Sequence, residues 1–192
     1  MGALVEKWNR VYSGLDQESR PVAGVLAEND FLLPQTGAAL DLACGLGGNA
    51  VFLAERGLAV TAWDISSVAI DGLAAYALLR GLTIDACQRE ITANSFNECR
   101  FDVIVVSRFL DRGLRDAIID ALKPDGLLFY QTFTREKASQ EGPNNPDYLL
   151  GRDELPALFS PLSLVFYRDN GLIGEQQRGL RNEAQFIGRK CK

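Results

Sequence analysis

From Ala38 to Thr132, short and continuously apolar runs alternate with longer segments in which apolar residues recur every three or four positions. The short runs predict strands over residues 38–43, 59–63, 83–88, 101–106 and 127–132, and the longer ones predict helices over 49–56, 67–80 and 112–122. Val103-Ile104-Val105-Val106 lacks polar alternation, as expected where helices cover both faces of a parallel strand. Ser66 or Ser67 is placed to cap the second of these helices and Gly81 to end it.

Before this core, Trp8, Val11, Tyr12 and Leu15 recur at helical steps and predict a short amphipathic helix. Pro21 opens a second predicted helix, running through Val25, Leu26 and Phe31 and ending before Pro34. After Phe133 the pattern changes. Residues 134–150 are polar, contain Gly142-Pro143-Asn144-Asn145-Pro146, and predict a long surface loop. A short helix over 152–159 precedes strands at 162–167 and 183–189. The stretch 171–181 between them is too short for a helical crossover, so these two strands are expected to be antiparallel. The sum is an α/β fold: a doubly wound, Rossmann-like, seven-stranded and mostly parallel sheet with an antiparallel last strand.

Composition narrows the function. The net charge of −5 argues against nucleic acid or an anionic membrane surface as partner and favours a small molecule. Four cysteines, Cys44, Cys87, Cys99 and Cys191, show no C-x-x-C spacing, and the chain has no histidine, so no metal site is expected. The missing histidine also removes the commonest general base. The first twenty residues lack the apolar core of a signal peptide, and no window has the length and apolarity of a membrane span, which predicts a cytoplasmic protein with reduced thiols.

The unusual stretch is Asp41-Leu42-Ala43-Cys44-Gly45-Leu46-Gly47-Gly48-Asn49, where an apolar strand breaks into three glycines and a helix begins at once. Glycine lets a ligand lie against bare backbone at a helix N-terminus. Gly45-x-Gly47-x-x-Ala50 satisfies the dinucleotide fingerprint, and Asp64 follows roughly twenty residues on, at the end of the second strand, where a carboxylate accepts hydrogen bonds from ribose hydroxyls. NAD and other adenosine cofactors share that ribose. Asp41 tilts the choice: a carboxylate ahead of the loop, with Arg56 the nearest cation along the chain, repels a pyrophosphate and suits a cationic ligand.

Together with Asp64, the segments Asp41-Leu42-Ala43-Cys44-Gly45-Leu46-Gly47, Phe101-Asp102-Val103-Ile104 and Leu122-Lys123-Pro124-Asp125-Gly126 resemble the ordered motifs of class I S-adenosylmethionine-dependent methyltransferases. The Cys-Gly-x-Gly-x-Asn segment is similar to that of the small tellurite-resistance and thiopurine-type enzymes. The resemblance implies S-adenosyl-L-methionine as cofactor, with Asp41, Ala43, Cys44, Gly45, Gly47 and Asn49 around its methionine part, Asp64 on the ribose and Ile65 against the adenine. Glu90, or alternatively Ile91, would meet the adenine amino group. Ser107 and Arg108 would line the space before the methyl group, with Arg112 and Tyr12 as further acceptor-side candidates and Trp8 in an N-terminal lid. On this reading residues 1–192 form a single methyltransferase domain, with N-terminal helices over 1–35 as a candidate lid, a cofactor-binding core over 38–133, and a substrate-side loop and antiparallel strands over 134–192.

The expected activity is methyl transfer to a small anionic, thiol or oxyanion acceptor by in-line displacement, a reaction that tolerates the absence of histidine. The sequence leaves open an NAD-dependent oxidoreductase and a cofactor-binding protein without turnover. Cys44 is read as a small buried thiol, since it lacks a histidine partner.

Overall fold

In the computed structural model, which describes residues 2–16, 18–97 and 99–191, seven strands form one sheet in the order β3-β2-β1-β4-β5-β7-β6. They are β1 (Ala38–Leu42), β2 (Ala59–Asp64), β3 (Ile84–Gln88), β4 (Phe101–Ser107), β5 (Leu122–Phe133), β6 (Ser163–Arg168) and β7 (Glu183–Arg189). The first five run parallel, and β7 is antiparallel to both β5 and β6. The doubly wound sheet and the reversed last strand are those the apolar pattern predicts.

Two-residue periodicity sends alternate side chains of the central strands into two cores. Leu40, Leu42, Ile104, Val106, Leu128 and Tyr130 pack on one face with α5 (Arg115–Ala121) and α6 (Glu154–Leu158). Ala39, Val103, Val105 and Phe129 pack on the other, against α2 (Gly24–Ala27), α3 (Gly48–Glu55) and α4 (Ser67–Arg80). Burial on both faces is why these strands read as unbroken apolar runs. Ser66 caps α4 by accepting the Ala69 N–H at 3.2 Å, and Gly81 ends it at φ 65°.

Two predicted elements differ. The helix expected to open at Pro21 and end before Pro34 is only the single turn α2 followed by a 3-10 turn at Asp30–Leu32. Its backbone is claimed by side chains from α3 and the sheet: Ala23 N–H donates to Asn49 at 2.9 Å and Val25 N–H to Gln131 at 2.8 Å, so residues 20–23 run as an extended strap into α2. The helix expected over 112–122 starts with a 3-10 turn, and Leu122 already belongs to β5, whose register against β4 shifts between Phe101 and Val103. The N-terminal helix α1 (Gly2–Ser13) has no fully buried residue and rests on α4 through Asn9, which bonds Ser66 at 2.7 Å and Ser67 at 3.4 Å.

Candidate functional site

Strand order reverses between β1 and β4, and in doubly wound sheets such a switch point opens a crevice beyond the C-terminal strand ends. Here that crevice is a cleft of about 490 Å³. Its floor is the loop Ala43–Asn49, one wall is the strap at Pro21–Gly24, its mouth carries Tyr12, Asp16 and Ser19, and its far end is closed by Ser107, Arg108 and Gln131.

The loop's shape follows from its contacts. Gly45 and Gly47 adopt left-handed φ values of 53° and 78°, which glycine takes without a steric penalty. A Cβ on Gly47 would strike the Leu73 side chain, and one on Gly48 would strike the Pro21 carbonyl. Both positions are therefore glycine because α4 and the strap press on them from within the protein. At Gly45 the space is taken by the Tyr12 side chain, whose hydroxyl would lie 2.9 Å from an added Cβ. Ligand approach, the sequence-based reason for the glycines, is thus not what requires glycine at 47 and 48.

Asp64, nearly fully buried at the end of β2, accepts the Gly45 N–H and the Ser66 N–H, each at 2.9 Å and each on a different oxygen. Burial pushes its carboxyl above the ordinary range against the pull of these bonds. Asp41 is completely buried beneath the loop and does not line the cleft. One oxygen accepts from Asn49 Nδ2 at 3.3 Å and the other from the Ala50 N–H at 2.9 Å, fixing the first turn of α3. Burial raises it to about 7. Desolvation, with the Asp41 and Asp64 charges, also pushes the Cys44 thiol well above its usual value, which keeps it protonated and unreactive. The same causes raise Tyr12, burial leading and Asp64 next.

Asn49 joins three elements. Its Oδ1 accepts the Ala23 N–H, which fixes the carboxamide's orientation, and Nδ2 donates to Asp41 and, at 3.1 Å, to Ser107 Oγ. Arg108, at the end of β4, holds φ 52°, a strained value for a non-glycine residue, while its N–H donates to the Gln131 carbonyl at 2.8 Å. Its Nε donates to Glu183 at 2.9 Å.

The predicted residues thus separate into groups. Tyr12, Ala43, Cys44, Gly45, Gly47, Asn49, Ser107 and Arg108 border the cleft; Asp41, Asp64, Ile65, Glu90, Ile91, Trp8 and Arg112 do not. Asp64 and Ile65 lie just behind the floor, with the Ile65 carbonyl taking a bond from Gln88 at 3.1 Å. Glu90 borders a separate shallow hollow with Arg89 and Ser95, and Ile91 packs on the core. Trp8 stacks on Tyr12 with ring centroids 5.8 Å apart. Arg112 is taken up elsewhere: it pairs with both oxygens of Glu154 and donates to the carbonyls of Asp147 and Leu149, clamping the loop before α6. Its guanidinium is thus committed to this clamp and does not border the cleft.

Three participants were missed. Arg20 donates to the carbonyls of Leu46 and Gly72 and lies 4.3 Å from the Tyr76 ring centroid, so a cation does stand beside the loop and the charge argument built on Asp41 loses force. Its Nε is buried without a partner among the described residues. Gln131 and Glu183 could have been suspected as polar residues in otherwise apolar strands. Arg20 carries no such signal, because its partners are backbone atoms distant in sequence.

Residues 39–126 match the family model described as a methyltransferase domain. No curated protein matches the chain in sequence. Among solved structures, TehB from Haemophilus influenzae is similar at 21% identity and TM-score 0.72, over 90% of this chain and 64% of that one, so this chain spans less than two thirds of TehB. An S-adenosylmethionine-dependent methyltransferase from Clostridium acetobutylicum is similar over 100% of this chain and 99% of its own, at 12% identity and TM-score 0.65. The [4+2]-cyclase SpnF is similar at 17% identity and TM-score 0.69, over 98% of this chain and 93% of its own. Among the described residues no helix is long and apolar enough to cross a membrane.

Proposed function

We propose, from the match of residues 39–126 to a methyltransferase domain and the likeness of the fold to an S-adenosylmethionine-dependent methyltransferase, that the chain moves a methyl group to a small anionic, thiol or oxyanion acceptor by in-line displacement. S-adenosyl-L-methionine is the cofactor that the domain and fold imply. The observation carrying the reading is the cleft at the β1/β4 switch point, floored by a glycine loop that a buried carboxylate, Asp64, grips through the Gly45 N–H. The residues present fit the cofactor. The cleft falls in the size range of small-molecule sites, and the glycine loop lines it with backbone that carries no Cβ at Gly45, Gly47 and Gly48. Asp64 accepts the Gly45 and Ser66 N–H groups on different oxygens, and as an acceptor-only group it suits the donating hydroxyls of a ribose.

In this reading Ala43, Cys44, Gly45, Gly47 and Asn49 border the methionine part, Asp64 and Ile65 serve the ribose and adenine, and Glu90 or Ile91 meets the adenine edge. Asp41 acts at one remove, as a positioning residue that sets Asn49 and the start of α3. Ser107 and Arg108 face the acceptor. Residues 1–35, with Trp8 and Tyr12, serve as a lid over the 38–133 core, and 134–192 supply the acceptor-side loop and strands.

The cofactor supplies a methyl carbon on a cationic sulfur that leaves as a neutral thioether, so the acceptor's electron pair makes the new bond and a thiol's proton passes to solvent. The protein's share is to hold the acceptor in line and keep water out, which can be worth roughly 7–11 kcal/mol. No histidine is needed for that, and the raised Cys44 thiol takes no part. Release of S-adenosylhomocysteine against a panel of small thiols and oxyanions tests the reading. Turnover of any member supports a transferase; silence across the panel with the cofactor bound favours a binding protein.

A further inference from the structure

The acceptor end of the cleft is unusual in the polarity of its hydrogen-bonding groups, and that polarity is set by the backbone of the strap. Gln131, on β5 and 7% exposed, accepts two hydrogen bonds on Oε1: the Val25 N–H at 2.8 Å and Gln185 Nε2 at 2.9 Å. A backbone N–H can only donate, so the carboxamide cannot flip. Its oxygen is filled, and its nitrogen, which donates once to Glu183, has a second N–H that no described residue takes. Ser107, paired across the sheet with Gln131, is constrained in the same way. The Ala23 N–H fixes Asn49 so that Asn49 Nδ2 fills a lone pair on Ser107 Oγ, leaving the hydroxyl proton to donate. No described residue accepts it.

Arg108 completes the set. Its inner edge is tied to buried Glu183 through Nε, and its guanidinium stands 5.6 Å from the Phe133 ring centroid. Its outer nitrogens reach only Glu141, at 4.0 Å, among the described residues, and its side chain is 57% exposed at the rim. Glu183 spends one oxygen on Arg108 and the other on Gln131, so one buried carboxylate aligns both donors. The three polar side chains closing this end of the cleft therefore offer N–H and O–H groups outward.

Resting on the methyl-transfer reading, we propose that Ser107, Arg108 and Gln131 form an anchor for a carboxylate carried by the acceptor, separate from the atom that is methylated, and that Glu183 is the positioning residue of this anchor. A carboxylate is acceptor-only and planar, which matches a cluster of donors that includes a guanidinium edge. A neutral hydroxyl gains less, because it brings no negative charge to the guanidinium.

Two thiols of matched length separate the alternatives: 3-mercaptopropionate and 3-mercapto-1-propanol, each assayed for S-methyl product with S-adenosylmethionine. The wild type is expected to prefer the carboxylate by at least tenfold in kcat/KM, with the difference residing in KM. Arg108→Gln, at an exposed side chain, should reduce the preference below about threefold and leave S-adenosylhomocysteine affinity within twofold of wild type. Glu183→Gln should raise KM for 3-mercaptopropionate by a larger factor than KM for the alcohol. If neither thiol turns over, calorimetric binding of each to the S-adenosylhomocysteine-saturated protein gives the same comparison. Equal use or binding of the two thiols, or a preference that survives in Arg108→Gln, overturns the anchor. Failure of S-adenosylhomocysteine itself to bind overturns the methyl-transfer reading instead.

Discussion

Asp64 holds the Gly45 N–H at 2.9 Å, so the carboxylate at the end of β2 and the glycine loop after β1 form one unit. Its other oxygen holds the Ser66 N–H, at the start of α4. Asp64→Asn keeps one acceptor oxygen and turns an NH2 toward the other backbone donor. The variant should lose about 1–3 kcal/mol of stability in urea unfolding. It should bind S-adenosylhomocysteine more than tenfold more weakly by calorimetry. A folded variant with unchanged affinity would remove Asp64 from the ribose site.

Asp41 should report on pH. Burial raises its carboxyl to about 7 from an ordinary 3.8. A folded-state pKa above the unfolded one contributes stability that is fully present below about pH 4 and is lost as pH rises through 7. Asp41→Asn cannot titrate. The stability of wild type minus that of the variant should therefore fall between pH 5 and 8, by on the order of 1 kcal/mol or more. Urea unfolding at the two pH values measures it, and a constant difference would mean that Asp41 is ionised throughout.

Gly48 and Gly81 make a contrasting pair. An Ala Cβ at Gly48 meets the carbonyls of Pro21 and Arg20, both backbone, whereas at Gly81 it meets nothing within 4 Å and is disfavoured only by φ 65°. Gly48→Ala should displace the strap, costing about 1–3 kcal/mol and cofactor affinity together. Gly81→Ala should cost about 1 kcal/mol and leave affinity intact. Thermal melts with and without S-adenosylhomocysteine distinguish them; equal ligand-induced shifts would contradict the role given to the strap.

Arg112 spans Glu154 and two loop carbonyls. Arg112→Ala should reduce stability by roughly 1–3 kcal/mol and loosen the segment around Asp147. S-adenosylhomocysteine affinity and acceptor KM should stay at wild-type values. A rise in acceptor KM without loss of stability would put Arg112 on the acceptor side.

The sheet was legible because burial on both faces writes itself as apolar runs, and the reversed last strand because 171–181 is too short to cross over. The strap was not, since the bonds that hold residues 20–23 extended and fix the start of α2 come from Asn49 and Gln131, and a helical apolar pattern carries no trace of them. The glycine loop was found from sequence, but the reason for two of its glycines was not: Leu73 and the Pro21 carbonyl are remote in the chain. Asp41 and Asp64 stood out as carboxylates at strand ends. Their unlike positions, one sealed beneath the loop and one bonded to it from behind, depend on the path of the chain after β1.

Calorimetry of the wild-type protein with S-adenosylmethionine, S-adenosylhomocysteine and NADH tests the central claim most directly. The account predicts saturable one-to-one binding of both sulfur compounds and none of NADH. Binding of NADH with neither sulfur compound bound would contradict it.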